Sequence, residues 1–400
     1  MTASHPALDA VVAHVDSLRE QHIALSHAVH DDAEVAFEEH TSSARVAAAC
    51  ADAGFDVMHG TAGMETAVVA SYGSGPLQIG ICAEYDALPG IGHACGHNII
   101  ASSAVATALA LASVADEVGL TVRLLGTPAE EAGGGKILML DAGSFDGLHA
   151  SMMVHPAPYE LDGMGCLAVT HVNVEYAGVS SHASAFPELG RNAADALTVA
   201  QVGIGLLRQH LDQSHRVHGI VTDGGDAPNI VPEHAGGTWY VRANTLAELA
   251  ELYPRVKACF EAGAIATGTT LRIPEPPPSY SEFKHDQDLL LAYRRHAESL
   301  GRVFPDLGAS ADKLRGSTDM ANVSLELPSI HPMLGLDTEF SNHQPGFTAA
   351  CITASADDAV RAGAIAMART AVEAATTPAL RDRLLAKPYS SAGYEIPRLF

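Results

Sequence analysis

Hydrophobic residues at the start of the chain recur at the spacing of one helix face. They are Leu8, Val11, Val12, Val15, Leu18, Ile23 and Leu25, and this spacing predicts an amphipathic opening helix. Residues 67–72 and 77–83 are apolar runs separated by the turn sequence Gly-Ser-Gly-Pro, which predicts two strands. Short apolar runs at 120–125 and 151–154 predict two more, with helical patterns between them. Strands that alternate with helices predict an α/β fold with a mostly parallel sheet.

The middle of the chain has a different pattern, with strands and helices in the order β-α-β-β-α-β. The six predicted segments are residues 167–177, 192–211, 217–222, 237–243, 246–263 and 271–273. That order suits a small α+β domain with a four-stranded sheet. The proline-rich run 274–278 follows it as a stiff connector. We therefore expect a discontinuous catalytic domain, residues 1–166 and 279–400, with a second domain inserted at 167–278.

Charge and composition narrow the classes of partner. The 400 residues carry a formal net charge of -24, which disfavours nucleic acid because phosphates are bound by Lys and Arg. The apolar stretch 99–115 includes Ser102, Ser103 and Thr107, which favours a buried helix over a membrane span. The first ten residues lack the pattern of a secretory signal. Six scattered cysteines without a Cys-x-x-Cys pair then indicate reduced thiols and a cytoplasmic location.

Four short segments hold residues that suit metal chemistry. Residues 90–98 read GIGHACGHN, where Cys95 and His97 offer a thiolate and an imidazole to a metal such as zinc. Glu130 and Glu131 follow the apolar run 120–125, so that one carboxylate can bind a metal while the other acts as a general base. His155 follows the run 151–154, and the fourth segment, SNHQPGF, contains His343.

Each of these signals has an ordinary explanation when it is taken alone. A buried thiol beside a core histidine, a solvated pair of carboxylates and two lone histidines would account for them one by one. Their common placement argues for function, because the first three segments follow the carboxyl ends of predicted strands. Open α/β sheets place their sites at those ends. We therefore expect the segments to converge on one site.

The motifs also resemble a known family, the M20 metallopeptidases. Between about residues 84 and 347 the chain contains, in family order, EYDALPGIGHACGHN, GTPAEEAGGGK, MMVHP, GSTDMANVS and HQPGF. More narrowly, these motifs are similar to the branch of aminobenzoyl-glutamate hydrolases and M20-domain protein 2. Hippurate and auxin-conjugate hydrolases are slightly further off. The resemblance implies a zinc-peptidase-type catalytic domain that holds two metals, with an inserted lid-like dimerisation domain.

The resemblance also implies roles for single residues of the catalytic domain. Its metal ligands are Cys95, His97, Glu131, His155 and His343, with Cys95 bridging the two ions. Glu130 becomes the general base, and Asp86 orients a ligand from behind the metal shell. Two positions depart from related patterns. Asn98 stands where hippurate-type enzymes have Asp, as in the aminobenzoyl-glutamate branch, and Glu84 stands where the family's usual strand motif has His, so Glu84 is not assigned to the metal.

Further residues are implied to contact the substrate. His182 resembles a lid histidine that reaches the partner subunit's active site and hydrogen-bonds the oxyanion. Asn229 resembles a lid position that faces substrate. Arg242 either grips a substrate carboxylate or forms a structural ion pair. Gly316 and Ser317, with Thr318 and Asp319, occupy a loop that lines the pocket, although Asp319 could instead cap the following helix.

The implied reaction is hydrolysis of an amide bond in a small N-acyl amino acid or dipeptide-like substrate, including aminobenzoyl-glutamate. Two divalent ions, zinc or manganese with cobalt also compatible, and Glu130 would activate the attacking water. The implied assembly is a homodimer through the inserted domain, with no nucleic acid or membrane partner. Two alternatives stay open. One is a Cys-dependent amidase with Cys95 as nucleophile beside His97 or His155, and the other is a non-catalytic metal-binding homologue.

Overall fold

The chain folds into two compact units, which we describe separately. The structure is a computed structural model that describes residues 5–306, 308 and 314–399. The first unit comprises the chain up to Gly165 together with Phe283–Ile396. The inserted unit comprises Cys166–Glu282 together with the chain from Pro397 onwards.

The first unit alternates helices with short strands. Its helices are α1 (Ala7–Ser17), α2 (Arg19–Asp32), α3 (His40–Asp52), α4 (His97–Ala112), α5 (Ala115–Val118), α6 (Gly135–Asp141), and, after the insertion, α9 (Gln287–Ser299), α10 (Met320–Glu326), α11 (Pro345–Ala350), α12 (Ala354–Thr376) and α13 (Pro378–Leu385). Its strands are β1 (Asp56–His59), β2 (Val68–Tyr72), β3 (Leu77–Ala83), β4 (Leu120–Gly126), β5 (Ala150–Met152), β6 (His155–Ala157), β11 (Ser329–Ile330) and β12 (Met333–Gly335).

Six of these strands form one mixed sheet in the order β1-β2-β4-β3-β5-β11. The pairs β4/β3, β3/β5 and β5/β11 are parallel, whereas β1/β2 and β2/β4 are antiparallel. Ala83 pairs with Gly126, so β3 and β4 end side by side. The strands β6 and β12 form a separate parallel pair. The predicted α/β class with a mostly parallel sheet is confirmed.

Helix α4 is the central helix of the first unit. Fourteen of its sixteen residues are buried, and it packs against α2 and α12. Its polar side chains are paired inside the core: the Ser102 hydroxyl donates to the His22 carbonyl at 2.6 Å, and the Thr107 hydroxyl donates to the Ser103 carbonyl at 2.7 Å. Residues 99–112 of the apolar stretch therefore lie in a buried helix, as predicted, and this helix ends before residues 113–115. Within the described residues, no helix is both long enough and apolar enough to cross a bilayer.

The prediction of a single opening helix was wrong. The backbone leaves helical geometry at Leu18, with φ -110° and ψ 12°, and α2 begins at the next residue. Val11 and Val15 are buried from α1, whereas α2 buries His22 and Val29. The break lets both segments pack on the core, and a spacing pattern alone does not show such a change of direction.

The inserted unit has strands β7 (Ala168–Ala177), β8 (Arg216–Asp223), β9 (His234–Ala243) and β10 (Thr270–Arg272), with helices α7 (Ala193–Arg208) and α8 (Leu246–Thr267). The sheet order is β10-β7-β9-β8, and every pair is antiparallel. Both helices have side-chain caps, since Asn192 accepts from the amide of Ala194 and Thr245 accepts from that of Glu248. The predicted four-stranded sheet is confirmed.

The two ends of the insertion differ from the sequence expectation. Cys166, residues 279–282 and the chain from Pro397 onwards were assigned to the catalytic domain, yet all three group with the inserted unit. The Ser279 amide donates to the Pro397 carbonyl at 2.9 Å, and Leu399 packs against the core of this unit. The C-terminal residues thus return to a domain from which they are far removed in sequence, and no local pattern indicates such pairing.

Buried His22 predicts a loss of stability in acid. Burial lowers the pKa of His22 to about 4 from its usual value of 6.5. Because the folded state disfavours the protonated ring, stability is complete above pH 6.5 and is lost as pH falls towards 4, by on the order of 3 kcal/mol. His22→Gln should flatten this dependence in urea titrations of metal-free protein between pH 7.5 and 4.5.

The exposed His40 offers a matched control, since His40→Gln should leave the acid loss unchanged. If His22→Gln loses as much stability as the wild type over this range, His22 is not the responsible group.

Candidate metal centre

The parallel strands of the first unit deliver the predicted site residues to one edge of the sheet. Glu84 and Asp86 follow the end of β3, Glu130 and Glu131 follow β4, and His155 follows β5. These three strands are neighbours in the order β4-β3-β5. Because their carboxyl ends lie together, chemistry-bearing residues from distant parts of the chain meet there.

The turn before Glu130 is held by a residue that the sequence did not single out. Ala129 has φ 58°, which is unusual for a residue with a Cβ. Its amide donates to the buried Glu39 carboxylate at 2.8 Å, and the other oxygen of Glu39 accepts from the Thr66 hydroxyl at 2.9 Å. Glu39 therefore fixes the turn that presents Glu130 and Glu131.

The five predicted ligands form two groups that have Cys95 in common. In each group, the potential ligand atoms lie within 4.8 Å of one another; the groups are Cys95, His97 and His155, and Cys95, Glu131 and His343. The Cys95 sulfur lies 3.5 Å from His155 Nε2, and Glu131 Oε1 lies 3.4 Å from His343 Nε2. The structure thus brings all five residues together, with Cys95 between the two groups.

Asp86 lies behind these groups and contacts two of their members. Its Oδ1 lies 3.0 Å from His97 Nδ1, and its Oδ2 accepts from the Glu131 amide at 2.9 Å. Burial alone would raise the pKa of Asp86, but His97 holds it below its usual value. The contact to Nδ1 leaves Nε2 of His97 directed at the site, which is the arrangement of an oriented metal ligand.

His155 is oriented in a similar way by the backbone. Its Nδ1 lies 2.9 Å from the Pro156 carbonyl, so this nitrogen carries the proton and Nε2 is left with its lone pair. The Pro156 carbonyl also accepts from the Asn342 side chain at 3.0 Å, which connects the His343 loop to the His155 strand. Burial lowers the pKa of His155 to about 4, so the ring is neutral and able to bind a metal.

The two adjacent carboxylates have different electrostatic surroundings. Burial, together with the charges of Glu84 and Glu131, raises the pKa of Glu130 well above its usual value. Burial would also raise that of Glu131, but the hydrogen bond with His343 and the charge of His97 bring it below the usual value. Glu130 is thus the better proton acceptor of the pair, and Glu131 is the one held as an anion.

A buried ion network, which the sequence did not reveal, adjoins the site. The Lys136 ammonium donates to Glu84 Oε1 at 2.5 Å and to Asp319 Oδ1 at 2.7 Å, and all three side chains are fully buried. Asp319 Oδ2 also accepts from the Lys136 amide at 2.9 Å. Burial alone would lower the pKa of Lys136, but the charges of Asp319 and Glu84 raise it. Lys136 is therefore a permanent cation at the edge of the site.

Asp319 does not cap the following helix with its side chain. It occupies the N-cap position of α10, yet makes no side-chain capping bond, because both carboxylate oxygens are directed to Lys136. Gly316 and Ser317 precede it in the same unit. A Cβ on Gly316 would come within 3.0 Å of Met164 Cε, so the chain passes close to that side chain there.

The predicted lid residues belong to the inserted unit. His182 Nδ1 accepts from the amides of Ser184 and Ala185, so its ring is held on its own turn. The carbonyl of Asn229, which is exposed, accepts from the amide of Ala183 and joins these two segments. Arg242 lies on β9, with its guanidinium 5.7 Å from the centre of the Tyr240 ring. Both interpretations of Arg242, binding of a substrate carboxylate and a structural ion pair, stay predictions.

Two divalent ions fit the residues present. Thiolate, imidazole and carboxylate form a mixed donor set that suits zinc, cobalt or manganese. In addition, His97 Nε2 and Glu84 Oε2 are buried and have no hydrogen-bond partner within the described part of the chain. Buried polar atoms without partners are costly, and a bound cation would satisfy them.

Comparison of the sequence with known protein families identifies the family of this chain. Residues 80–371 match Peptidase family M20/M25/M40. The chain belongs to peptidase family M20. This M20 chain is 37% identical to the Xaa-Arg dipeptidase of Mus musculus over 382 residues, which cover 92% of this chain and 89% of that protein. It is 32% identical to one of the subunits of the p-aminobenzoyl-glutamate hydrolase of Escherichia coli over 278 residues, covering 64% of this chain and 58% of that subunit.

Solved structures show the same fold. The aminobenzoyl-glutamate utilization protein from Klebsiella pneumoniae superposes with a TM-score of 0.72 at 19% identity, covering 90% of this chain and 97% of that one. A Bacillus subtilis dinuclear metal-binding peptidase of family M20 superposes with a TM-score of 0.65 at 21% identity, covering 89% and 98%. The family match and the identity to the Mus musculus dipeptidase, rather than these superpositions, show that the M20 chain is a hydrolase of the metallopeptidase and amidohydrolase class.

Proposed function

We propose that this M20 chain hydrolyses the amide bond of a dipeptide or N-acyl amino acid with the help of two divalent ions. The observation that carries the proposal is the pair of ligand groups that share Cys95. One ion would be held by Cys95, His97 and His155, and the other by Cys95, Glu131 and His343. Zinc and manganese are the expected metals, with cobalt as a compatible substitute.

Glu130 is the proposed general base of this reaction. Two ions at such a site polarise the substrate carbonyl and make water a stronger acid. The raised pKa of Glu130 lets its carboxylate take the proton of the attacking water and then deliver it to the leaving nitrogen. Its neighbour Glu131 would stay bound as an anion, so the two carboxylates have separate tasks.

The proposed substrate is a dipeptide with a basic C-terminal residue. The Xaa-Arg dipeptidase of Mus musculus matches the chain over 92% of its length, which supports this class first. The second candidate is p-aminobenzoyl-glutamate, supported by the match to the Escherichia coli hydrolase. The kcat/KM values of the two substrates, measured on one preparation, would rank them. Release of arginine follows the first reaction, and release of glutamate follows the second.

A Cys95 nucleophile receives little support from the geometry. Burial raises the pKa of Cys95 well above its usual value, and burial also lowers the pKa of His155, whose Nε2 lies 3.5 Å from the Cys95 sulfur, to about 4. Such a pair stays neutral and does not form the thiolate–imidazolium couple that a nucleophilic cysteine needs. The central position of Cys95 suits a ligand, whose thiol proton is displaced by the metal.

The inserted unit is the proposed dimerisation surface. Its helix α7 exposes Val202 and Leu206, and strand β8, which ends the sheet order, exposes Ile220. Exposed apolar side chains beside an edge strand favour pairing with another chain. A second copy is the proposed partner, and the cytoplasm is the proposed location because no disulfide joins the cysteines of the described chain.

His182→Ala should reduce kcat without changing the metal content or the oligomeric state. If His182 donates a hydrogen bond to the oxyanion, its loss should lower kcat by about 10²–10³-fold. Steady-state kinetics, metal analysis and light scattering on the same preparation test this. His210→Ala, also in the inserted unit and exposed, is the matched control and should turn over normally. Normal kcat in His182→Ala would remove His182 from the site.

A further inference from the structure

The two oxygens of Glu84 have different surroundings. Oε1 accepts from the Lys136 ammonium at 2.5 Å. Oε2 is buried, has no hydrogen-bond partner within the described residues, and lies 3.4 Å from His97 Nε2. That nitrogen is likewise buried and without a hydrogen-bond partner in the described chain. The two atoms therefore face each other in the core at ion-pair distance, without a hydrogen bond between them.

A hydrogen bond between Glu84 and His97 does not explain this arrangement. The separation of 3.4 Å exceeds the usual range of about 2.7–3.2 Å for an N–H donor and an oxygen acceptor. His97 Nδ1 already pairs with Asp86 at 3.0 Å, which leaves Nε2 directed at Glu84. Glu84, His97 and Glu130 also form a third group whose potential ligand atoms all lie within 4.8 Å of one another.

A cation bound by both atoms would account for the 3.4 Å separation of Glu84 Oε2 and His97 Nε2. Two nitrogen or oxygen ligands about 2.1 Å from one ion lie about 3.4 Å apart at the tetrahedral angle. The same spacing of 3.4 Å separates His343 Nε2 from Glu131 Oε1, which are proposed ligands of one ion. We propose that Glu84 is a sixth protein ligand, binding through Oε2 the ion that His97 holds. This inference rests on the proposed two-metal function and extends its ligand set.

Lys136 and Asp319 hold Glu84 in the geometry that this role needs. Lys136 occupies Oε1, so Glu84 can offer a single oxygen to a metal. Asp319 accepts hydrogen bonds from both the ammonium and the backbone amide of Lys136. These two bonds fix the position of the ammonium that binds Glu84. Lys136 and Asp319 are thus positioning residues. The additional carboxylate oxygen is a hard ligand, and it would raise the affinity of the His97 site for manganese relative to zinc.

The experiment compares metal binding by the wild type, Glu84→Asp and Glu84→Gln. Glu84→Asp keeps the charge that Lys136 needs but is too short to reach both Lys136 and the ion, and Glu84→Gln removes the charge. Each stripped protein is titrated with Mn²⁺ and Zn²⁺ against a metal-binding dye, and the visible spectrum of the Co²⁺ form is recorded. Glu160→Gln is the matched control, because Glu160 is a buried carboxylate of the first unit that pairs with Arg302.

Binding of one of the two ions should weaken at least about tenfold in both Glu84 variants, with a larger loss for Mn²⁺ than for Zn²⁺, and the Co²⁺ spectrum should change. The other ion and the Glu160→Gln protein should keep wild-type affinities. A folded Glu84→Asp or Glu84→Gln protein that binds both ions as the wild type does would overturn the assignment of Glu84. A wild-type protein that binds no ions would instead overturn the proposed function, so the two failures are distinguishable.

Discussion

Glu130→Gln is expected to lower kcat by about 10²–10⁴-fold while two ions stay bound. Glutamine has nearly the same shape as glutamate but cannot accept the proton of the attacking water. Burial and neighbouring carboxylates raise the pKa of Glu130 at the sheet edge. Glu130 is absent from the two ligand groups that share Cys95, and its carboxylate lies within 4.8 Å of the ligand atoms of Glu84 and His97. Turnover and metal content should be measured on the same preparation by amine release and elemental analysis.

The exposed Glu65 provides a control, since Glu65→Gln makes the same chemical change away from the site and should leave kcat unaltered. Near-normal kcat in Glu130→Gln would show that another group accepts the proton. Loss of an ion together with kcat would instead make Glu130 a ligand, and the roles of the two adjacent carboxylates would have to be exchanged.

Lys136→Met should destabilise the protein by about 3–5 kcal/mol. The methionine fills much of the same volume, but it leaves Glu84 and Asp319 as two buried carboxylates without their shared cation. Their repulsion and desolvation are then uncompensated. Urea unfolding of the metal-free variant, followed by circular dichroism, measures the change in the free energy of unfolding.

Lys387→Met serves as the comparison, because Lys387 is exposed in the same unit and its loss should cost less than about 0.5 kcal/mol. Adding Asp319→Asn to Lys136→Met should recover part of the lost stability, since one of the two buried charges is then removed. Equal unfolding midpoints for Lys136→Met and Lys387→Met would contradict the ion network.

The convergence of the candidate ligand segments could be predicted because it follows from chain direction. Parallel strands end at the same edge of a sheet, so motifs directly after three apolar runs must meet if those runs are neighbours. The positions of Glu131 and His155 needed no long-range information beyond this rule. His343 comes from a loop near the C-terminus, and its place in the site was expected from the family resemblance alone.

The ion network and the turn support were not predictable from the sequence. Lys136 and Asp319 are separated by 183 positions, and an isolated Lys in a glycine-rich segment is more often exposed than buried. Glu39 is similarly remote, since its partner Ala129 is 90 positions away. Partners so distant in the chain are fixed by tertiary packing, which leaves no local periodicity. The helix break at Leu18 is missed for the same reason.

The central claim, a two-metal amide hydrolase, is tested most directly by metal removal and restoration. Chelator-stripped protein would be assayed for amine release from Xaa-Arg dipeptides, p-aminobenzoyl-glutamate and N-acyl amino acids, before and after zinc, manganese or cobalt is added. We expect no release by the stripped protein and recovery when two ions per chain are bound. Unchanged release after complete stripping, or a folded chain that binds two ions and hydrolyses none of these substrates, would contradict the account.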